Sequence, residues 1–233
     1  MPIDISSLPA VECFLRERLH QPLPGAEAHH RFAPRPPLEG WRPDDLPSHA
    51  RRAATLILLY PGADGVTLPL TERHAALPHH PGQVSLPGGR IDVDESGEHA
   101  ALRETHEELG VEPGDLRVLG PLSTLWVLVS NHLVQPFIAV ADARPDFRPS
   151  AREVERLIEI PLARLLDAGA VRSEARLREG VSVDVPYFGF QDHQIWGATA
   201  MILSELAALF EPGQLDRPAK GHCSSENLPP MLP

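Results

Sequence analysis

Three glutamates lie close together in the segment Arg103-Glu104-Thr105-His106-Glu107-Glu108. Glu104, Glu107 and Glu108 stand at positions i, i+3 and i+4, so a helix would carry all three carboxylates on one face. Carboxylates that converge on one point suit hard divalent cations such as Mg²⁺ or Mn²⁺, which prefer oxygen ligands. Because a glutamate-rich helix face is ordinarily just solvated, the residues around this segment must decide between the two interpretations.

A glycine-containing turn, Leu86-Pro87-Gly88-Gly89-Arg90, precedes the predicted helix. The backbone of such a turn can approach a ligand closely, so a carbonyl could complete a metal shell and the amides could meet phosphate oxygens. Arg103 is best explained as a structural partner for an upstream carboxylate, with Glu95 as the candidate. Such a pair would fix the turn against the helix and keep the metal-binding geometry rigid.

Taken together, these residues resemble a known family motif. The segment from Gly89 to Val111 is similar to the Nudix box. It contains Gly89, five residues, Glu95, seven residues and then Arg103-Glu104-Thr105-His106-Glu107-Glu108-Leu109-Gly110-Val111. Every charged and glycine position of that box is matched at its spacing. Thr105 departs from it, because the family usually has an aliphatic residue there, and we expect a buried threonine methyl to serve.

The resemblance implies an α/β class fold, an α/β/α sandwich with a mixed central sheet. It implies that Glu107 and Glu108 are metal ligands, that Glu104 is a ligand or aids the attacking water, and that the Gly88 carbonyl contributes to the metal shell. Gly89, Glu95 and Arg103 would support the box. The implied reaction is the attack of water on a phosphorus of a nucleoside diphosphate derivative, with Mg²⁺ or Mn²⁺ as the cofactor.

Upstream of the box, Thr71-Glu72-Arg73 and the run Gly82 to Gly89 resemble the extra signature of the coenzyme A diphosphatase branch. This resemblance implies cleavage of coenzyme A or acyl-CoA into 3′,5′-ADP and (acyl-)4′-phosphopantetheine. Three residues depart from the signature, namely His74, Pro78 and Leu86. Since Pro78 replaces a basic residue that could contact a phosphate, the candidate substrate-binding residues are Arg73, His79, His80, Gln83 and Ser85.

The later part of the chain is similar to the same branch. Val185-Pro186-Tyr187-Phe188 with Ile195 to Ala200, and the stretch from Glu153 to Leu162, extend the resemblance over about residues 50–210. Glu153 or Glu155 is a candidate for an additional metal ligand or base.

The chain has 233 residues and a formal net charge of -11. Such an acidic chain has no field to attract nucleic acid, and an anionic substrate needs a bound metal or local cations. No apolar run approaches the ~18 residues of a membrane span, and the N-terminus lacks a signal-peptide pattern. Two distant cysteines suit a reducing compartment, so we expect a cytoplasmic protein.

The chain divides by composition into three segments. A helix from Leu8 to Leu19 and a Pro-rich stretch over 21–50, either an extended arm or a loose linker, precede a domain at 51–211, and 212–233 is expected to be disordered. Within the domain, strands are predicted at 53–60, 66–71, 133–140 and 181–188. Helices are predicted at 97–109, 195–210 and, broken by Pro161, 153–166.

Several alternatives stay open at this point. The substrate could be another nucleoside diphosphate, such as ADP-ribose or a nucleotide sugar, in place of coenzyme A. The domain could also be a non-catalytic binding module, although such modules usually lose acidic residues of the box and none is lost here. Residues 1–50 could pack across the domain or mediate a homodimer.

Overall fold

The computed structural model describes residues 3–37, 39–42, 44–74, 82–178 and 180–211. The helices are α1 (Leu8–Arg18), α2 (Gly25–Arg31), α3 (Gly97–Leu109), α4 (Leu162–Leu165) and α5 (Gly197–Leu209). The strands are β1 (Arg51–Gly62), β2 (Gly65–Arg73), β3 (Val84–Ser85), β4 (Gly88–Arg90), β5 (Arg117–Pro121), β6 (Leu125–Val127), β7 (His132–Val140), β8 (Val154–Pro161), β9 (Val171–Arg178), β10 (Val181–Phe190) and β11 (His193–Trp196).

A mixed sheet organises the chain around β1. Its strand order is β3-β2-β1-β7-β5, with β4, β6 and β8 pairing β1, β7 and β2. β1 and β7 are parallel, whereas the other pairs are antiparallel. A second sheet contains β9, β10 and β11, paired antiparallel. The mixed central sheet therefore agrees with the expectation.

Helices cover both faces of β1 because its residues are apolar on both sides. Leu56 and Leu58 pack in one cluster with Ala100, Ala101 and Leu109 of α3. Ile57 and Leu59 pack on the other face, in a cluster that contains the α5 residues. A strand buried on both faces reads as a continuous hydrophobic run, which is what residues 53–60 show. The arrangement is an α/β/α sandwich, as predicted.

The Pro-rich stretch is neither a loose linker nor extended throughout. It contains the helix α2, and Phe32 and Trp41 are buried in the same cluster as Ile57. Phe32 stacks on Phe188 with ring centroids 4.2 Å apart, and Trp41 Nε1 donates to the carbonyl of Trp126 at 2.8 Å. A seven-residue helix between prolines has no readable period, so tertiary packing decides its structure.

A buried carboxylate joins this N-terminal segment to α5. Glu205 is fully buried, and its carboxylate accepts from the backbone N–H of Gly25 at 3.0 Å and of Ser123 at 3.2 Å. His29 Nε2, also fully buried, lies 3.0 Å from Oε2, the oxygen that accepts from Ser123. Three elements that are distant in sequence therefore meet at one acceptor group.

The helix predicted at 153–166 is wrong for most of its length. Residues 154–161 form β8, which pairs antiparallel with β2 in the register Leu68↔Ile160, and only Leu162–Leu165 is helical. The helix-forming Glu and Arg residues of this stretch take exposed or half-buried positions on the strand, while Val154, Ile158 and Ile160 are buried. Burial against β2 overrides local propensity here.

The remaining predicted elements have mixed outcomes. α1, β1, β2, α3, β7 and β10 are confirmed, with α3 at its predicted bounds. Ile195 and Trp196 belong to β11, so the closing helix begins only at Gly197. β5, β6 and β9 were not anticipated. The tail at 212–233 and the residues His79 and His80 lie outside the described residues. In the part of the chain that the structure describes, no helix is long and apolar enough to cross a membrane.

We expect Glu205→Ala to lower the free energy of unfolding by about 3–5 kcal/mol, because it leaves buried donors without their acceptor. Glu211→Ala is a matched control: Glu211 also contacts the N-terminal segment, through Arg31, but both side chains are almost half exposed. Losing that exposed pair should cost less than about 1 kcal/mol. Urea denaturation of both variants measures the difference, and equal losses would contradict a special role for the buried carboxylate.

Candidate active site

The helix α3 is defined by caps at both ends. The Ser96 hydroxyl accepts from the backbone N–H of His99 at 3.1 Å, which satisfies one free donor of the first turn. Gly110 ends the helix with a left-handed φ of 69°. Thr105 is fully buried and its hydroxyl donates to the Ala101 carbonyl at 2.7 Å, so the threonine adds no unsatisfied polar group to the core.

Arg103 and Glu95 form a two-pronged ion pair that ties the loop before α3 to the helix. Arg103 Nε donates to one carboxylate oxygen at 2.9 Å and Nη2 to the other at 3.0 Å. The backbone N–H of Asp92 also donates to Glu95 at 3.0 Å. The Arg103 guanidinium, followed by this N–H, lowers the pKa of Glu95 to about 2.

The same guanidinium reaches the rest of the acidic cluster. Arg103 Nη1 donates to Glu104 at 2.8 Å and lies 3.4 Å from Glu107. Its Nη2 also donates to the carbonyl of Arg90 at 3.0 Å, directly after the glycine turn. One side chain therefore holds the turn and the helix in a fixed relation.

Glu108 is the buried member of the cluster, with 4% of its surface exposed. One of its carboxylate oxygens, Oε2, is buried without a hydrogen-bond partner. Burial raises the pKa of Glu108 to about 8; Glu104 and Glu153 add to the rise, while Arg73 and the Gly88 backbone oppose it. A buried carboxylate in this state is poorly compensated by the protein alone.

The two glycines of the turn lie where β4 closely approaches its neighbours, α3 at Gly89 and β1 at Gly88. A Cβ at Gly89 would overlap the carboxylate of Glu104, and a Cβ at Gly88 would overlap the backbone of Ala54 and Thr55. Gly88 also has a φ of 152°, which L side chains rarely adopt. Burial raises the pKa of Glu104 above its usual range. The turn thus brings bare backbone against two carboxylates.

The donor set fits a hard divalent cation, although the side chains do not stand ready to hold one. Among the described residues, no three His, Cys, Asp or Glu side chains form a metal-binding group as arranged. Arg103 already contacts Glu104 and Glu107, so those carboxylates would have to turn from it toward a cation. The unpartnered oxygen of Glu108 is the observation that fits such a cation best.

Three of the five candidate substrate-binding residues, Arg73, Gln83 and Ser85, are described, and Arg73 lies near Glu108 of the cluster. The backbone N–H of Arg73 donates to the Gln83 carbonyl at 3.0 Å, and the buried Nε of Arg73 has no hydrogen-bond partner. The Ser85 hydroxyl lies 3.2 Å from that of Thr71. Arg73 is therefore the cation next to Glu108, while Ser85 already has a protein partner. His79 and His80 lie outside the described residues.

The candidate glutamates Glu153 and Glu155 lie in different surroundings. Glu155 lies 3.2 Å from His74 Nε2, and both side chains are substantially exposed. Glu153 is close enough to raise the pKa of Glu104 and Glu108 by charge repulsion. Glu153 is thus the loop carboxylate that belongs to the cluster, a distinction that residue spacing alone does not give.

Comparison with known proteins matches the NUDIX domain model to residues 50–177. Nudix hydrolase 15, mitochondrial, from Arabidopsis thaliana is 36% identical over 68% of this chain and 58% of its own length. The uncharacterized Nudix hydrolase NudL of Escherichia coli is 36% identical over 67% of this chain and 81% of its own. The Nudix hydrolase RenU of M. smegmatis has a crystal structure that matches 49% of this chain and 73% of its own. Its sequence identity to this chain is 27% and the TM-score is 0.43.

We expect the Glu95 carboxyl to titrate near pH 2 in the wild-type protein and at a higher pH in Arg103→Met, still below the free value of about 4.3 because the Asp92 N–H keeps donating to it. Because the folded pKa is depressed, the pair stabilises the fold above about pH 4.5 and loses that contribution as the pH falls to about 2. Carboxyl ¹³C shifts of both proteins measure the pKa. Arg117→Met, which breaks a different ion pair, should leave Glu95 unchanged.

Proposed function

We propose that this chain, which belongs to the NUDIX domain family, is a divalent-metal-dependent hydrolase that cuts a diphosphate bond in a nucleoside diphosphate derivative. The observation that carries the proposal is the buried, unpartnered carboxylate oxygen of Glu108 beside Glu104 and Glu153. A buried carboxylate among like charges is costly unless a cation compensates it. Two guanidinium groups, those of Arg73 and Arg103, lie near these carboxylates, but Arg103 is already engaged by Glu95 and neither donates to Oε2 of Glu108.

Glu104, Glu107, Glu108 and the Gly88 carbonyl would hold Mg²⁺ or Mn²⁺. When bound, the metal supplies neutralisation of the diphosphate oxygens and a water of lowered pKa. The protein's own part is to fix the geometry: Arg103 and Glu95 hold the turn against α3, and the absent side chains at Gly88 and Gly89 let the backbone come close.

Three side chains have further tasks in this proposal. Glu104 is the candidate acceptor for the proton of the attacking water if it does not ligate the metal, since burial raises its pKa. The Arg73 guanidinium, with an unpartnered buried Nε, orients the diphosphate by donating to its oxygens. Glu153 keeps the local charge negative and so favours cation binding.

We expect Glu108→Gln to lower kcat by about 100-fold or more in Mg²⁺ or Mn²⁺, since even changes to residues behind the ligands of a metal site cost 10–100-fold. The variant should stay folded, because the amide has the shape of the carboxyl and needs no counter-charge. Glu107→Gln should also abolish turnover, and EDTA should do so in the wild type.

Glu112→Gln is the matched control, because Glu112 follows the same helix but is 69% exposed and contacts only His106 among described side chains. It should keep full activity. Unchanged turnover in both Glu107→Gln and Glu108→Gln would refute the ligand assignment. The non-catalytic module would gain support if the wild type bound nucleotides but hydrolysed none of them.

Coenzyme A or an acyl-CoA is the proposed substrate. The support is the segment from Thr71 to Gly89, which resembles the coenzyme A diphosphatase signature and contributes Arg73 beside the acidic cluster. The Leu86 departure is accommodated as a core residue with 4% exposure, away from solvent. His74, the second departure, pairs with Glu155. The alternative substrates are ADP-ribose and nucleotide sugars.

A panel of coenzyme A, acetyl-CoA, ADP-ribose and a nucleotide sugar, assayed with Mg²⁺ and with Mn²⁺, tests the substrate. We expect 3′,5′-ADP and 4′-phosphopantetheine as products of coenzyme A, identified by mass. Cleavage of ADP-ribose with coenzyme A left intact would contradict the substrate proposal but keep the diphosphatase chemistry.

The cytoplasmic location and a homodimer stay predictions. Of the two roles considered for residues 1–50, packing across the domain has the support of the described contacts of α1 and α2.

A further inference from the structure

Two arginines and a histidine lie close together at the end of the sheet where β1 begins. Arg51 is the direct cross-strand neighbour of His132, and Arg90 is that of Ala53, two residues along the same strand. Neither Arg51 nor Arg90 makes an ion pair or a side-chain hydrogen bond with any described residue. We call Arg51, Arg90 and His132 the cation cluster.

The cation cluster lies on the sheet face opposite the acidic one. Ala54 and Gly89 face α3, since Ala54 packs with Ala100 and a Cβ on Gly89 would overlap Glu104. Side chains alternate along a strand, so their neighbours Arg51 and Arg90 face away from α3. Arg90 is two residues from Gly88, roughly 7 Å along the strand. Gly88 and Gly89, which carry no side chain, precede Arg90 in β4.

Two arginines without an ion-pair partner among the described residues lie at this end of the sheet. The chain has a net charge of -11, and other arginines such as Arg117 and Arg144 are paired with carboxylates. In the cluster the neighbouring charges disfavour a further positive charge. Burial, followed by the charges of Arg51 and Arg90, lowers the pKa of His132. Like charges held together without a counter-ion are a functional-site signature when they adjoin a candidate active site.

We propose that Arg51, Arg90 and His132 bind a phosphate monoester that the nucleotide substrate carries in addition to the diphosphate to be cut. The inference rests on the proposed function and deepens it, because it assigns residues to the 3′-phosphate that the proposed coenzyme A substrate carries. Arginine is suited to this ligand because its planar guanidinium donates two parallel hydrogen bonds to phosphate oxygens.

Two features favour a phosphate of the substrate over the diphosphate itself. The diphosphate must lie near Glu104 and Glu108 on the α3 face, whereas the cation cluster is on the other face. Gly88 and Gly89 place no side chain at the β4 edge between them, so one extended ligand can contact both faces. Among described strands, β4 pairs only with β1, and its Arg90 carbonyl accepts from Arg103 Nη2.

Calorimetric titration with adenosine 3′,5′-bisphosphate and with AMP tests the proposal without turnover. We expect the wild type to bind the bisphosphate at least about ten-fold more tightly than AMP, because each charge-assisted bidentate contact is strong. Arg51→Gln and Arg90→Gln should each remove most of that difference while leaving AMP affinity nearly unchanged. Arg164→Gln, which removes an equal charge from an exposed i,i+3 pair elsewhere, is the control.

Equal affinities of the wild type for the two nucleotides would overturn the proposal, and so would an equal loss in Arg164→Gln. Thermal melts check that the variants are folded. We expect Arg51→Gln and Arg90→Gln to leave the melting temperature unchanged, because both arginines are exposed and have no ion-pair partner among the described residues.

Steady-state assays with coenzyme A and 3′-dephospho-coenzyme A provide the second arm. In Arg51→Gln and Arg90→Gln, KM for coenzyme A should rise by about ten-fold with kcat nearly constant, while 3′-dephospho-coenzyme A is unaffected. If KM and kcat for coenzyme A are unchanged in both variants, the phosphate site is overturned, while the proposed hydrolase activity still holds. If adenosine 3′,5′-bisphosphate binding depends on Arg51 and Arg90 but no diphosphate is hydrolysed, the result would support the phosphate site and contradict the proposed function.

Discussion

The contact on which the site depends is the guanidinium of Arg103. It donates to Glu95, Glu104 and the Arg90 carbonyl, so it joins the loop, the helix α3 and the strand β4. A lysine could supply the charge but not this planar set of directed donors. The close approach of backbone and carboxylate at Gly89 exists only while these three elements keep their relation. Arg103 is therefore a positioning residue, and its effect on chemistry is indirect.

Charge is separated across the sheet near the start of β1. Carboxylates from α3 and the loop before β8 gather on one face, while Arg51, Arg90 and His132 lie on the other. An acidic protein can bind a polyanion if it presents cations locally, and separated regions would orient a ligand with several phosphates. The bare glycine turn between the regions is the point at which one ligand can reach both.

The sequence predicts the parts of the molecule in which local pattern and tertiary packing agree. The bounds of α3 follow from its cap residues Ser96 and Gly110, and β1 from its continuous apolar run. The strand β8 could not be predicted, because its residues favour helix and only pairing with β2 makes them extended. The acidic cluster was readable from i, i+3 and i+4 spacing. The cation cluster was not, since Arg51, Arg90 and His132 are neighbours only through strand register.

The Glu205 contact bears on what counts as the domain. Family similarity covers residues 50–177, yet the carboxylate that anchors α2 lies on α5, and both are outside that range. Homology boundaries mark shared chemistry, whereas cooperative unfolding follows buried contacts. A chain cut at the family limits would keep every residue of the acidic cluster and lose one wall of its core. The catalytic motif in this protein is thus smaller than the smallest piece expected to fold around it.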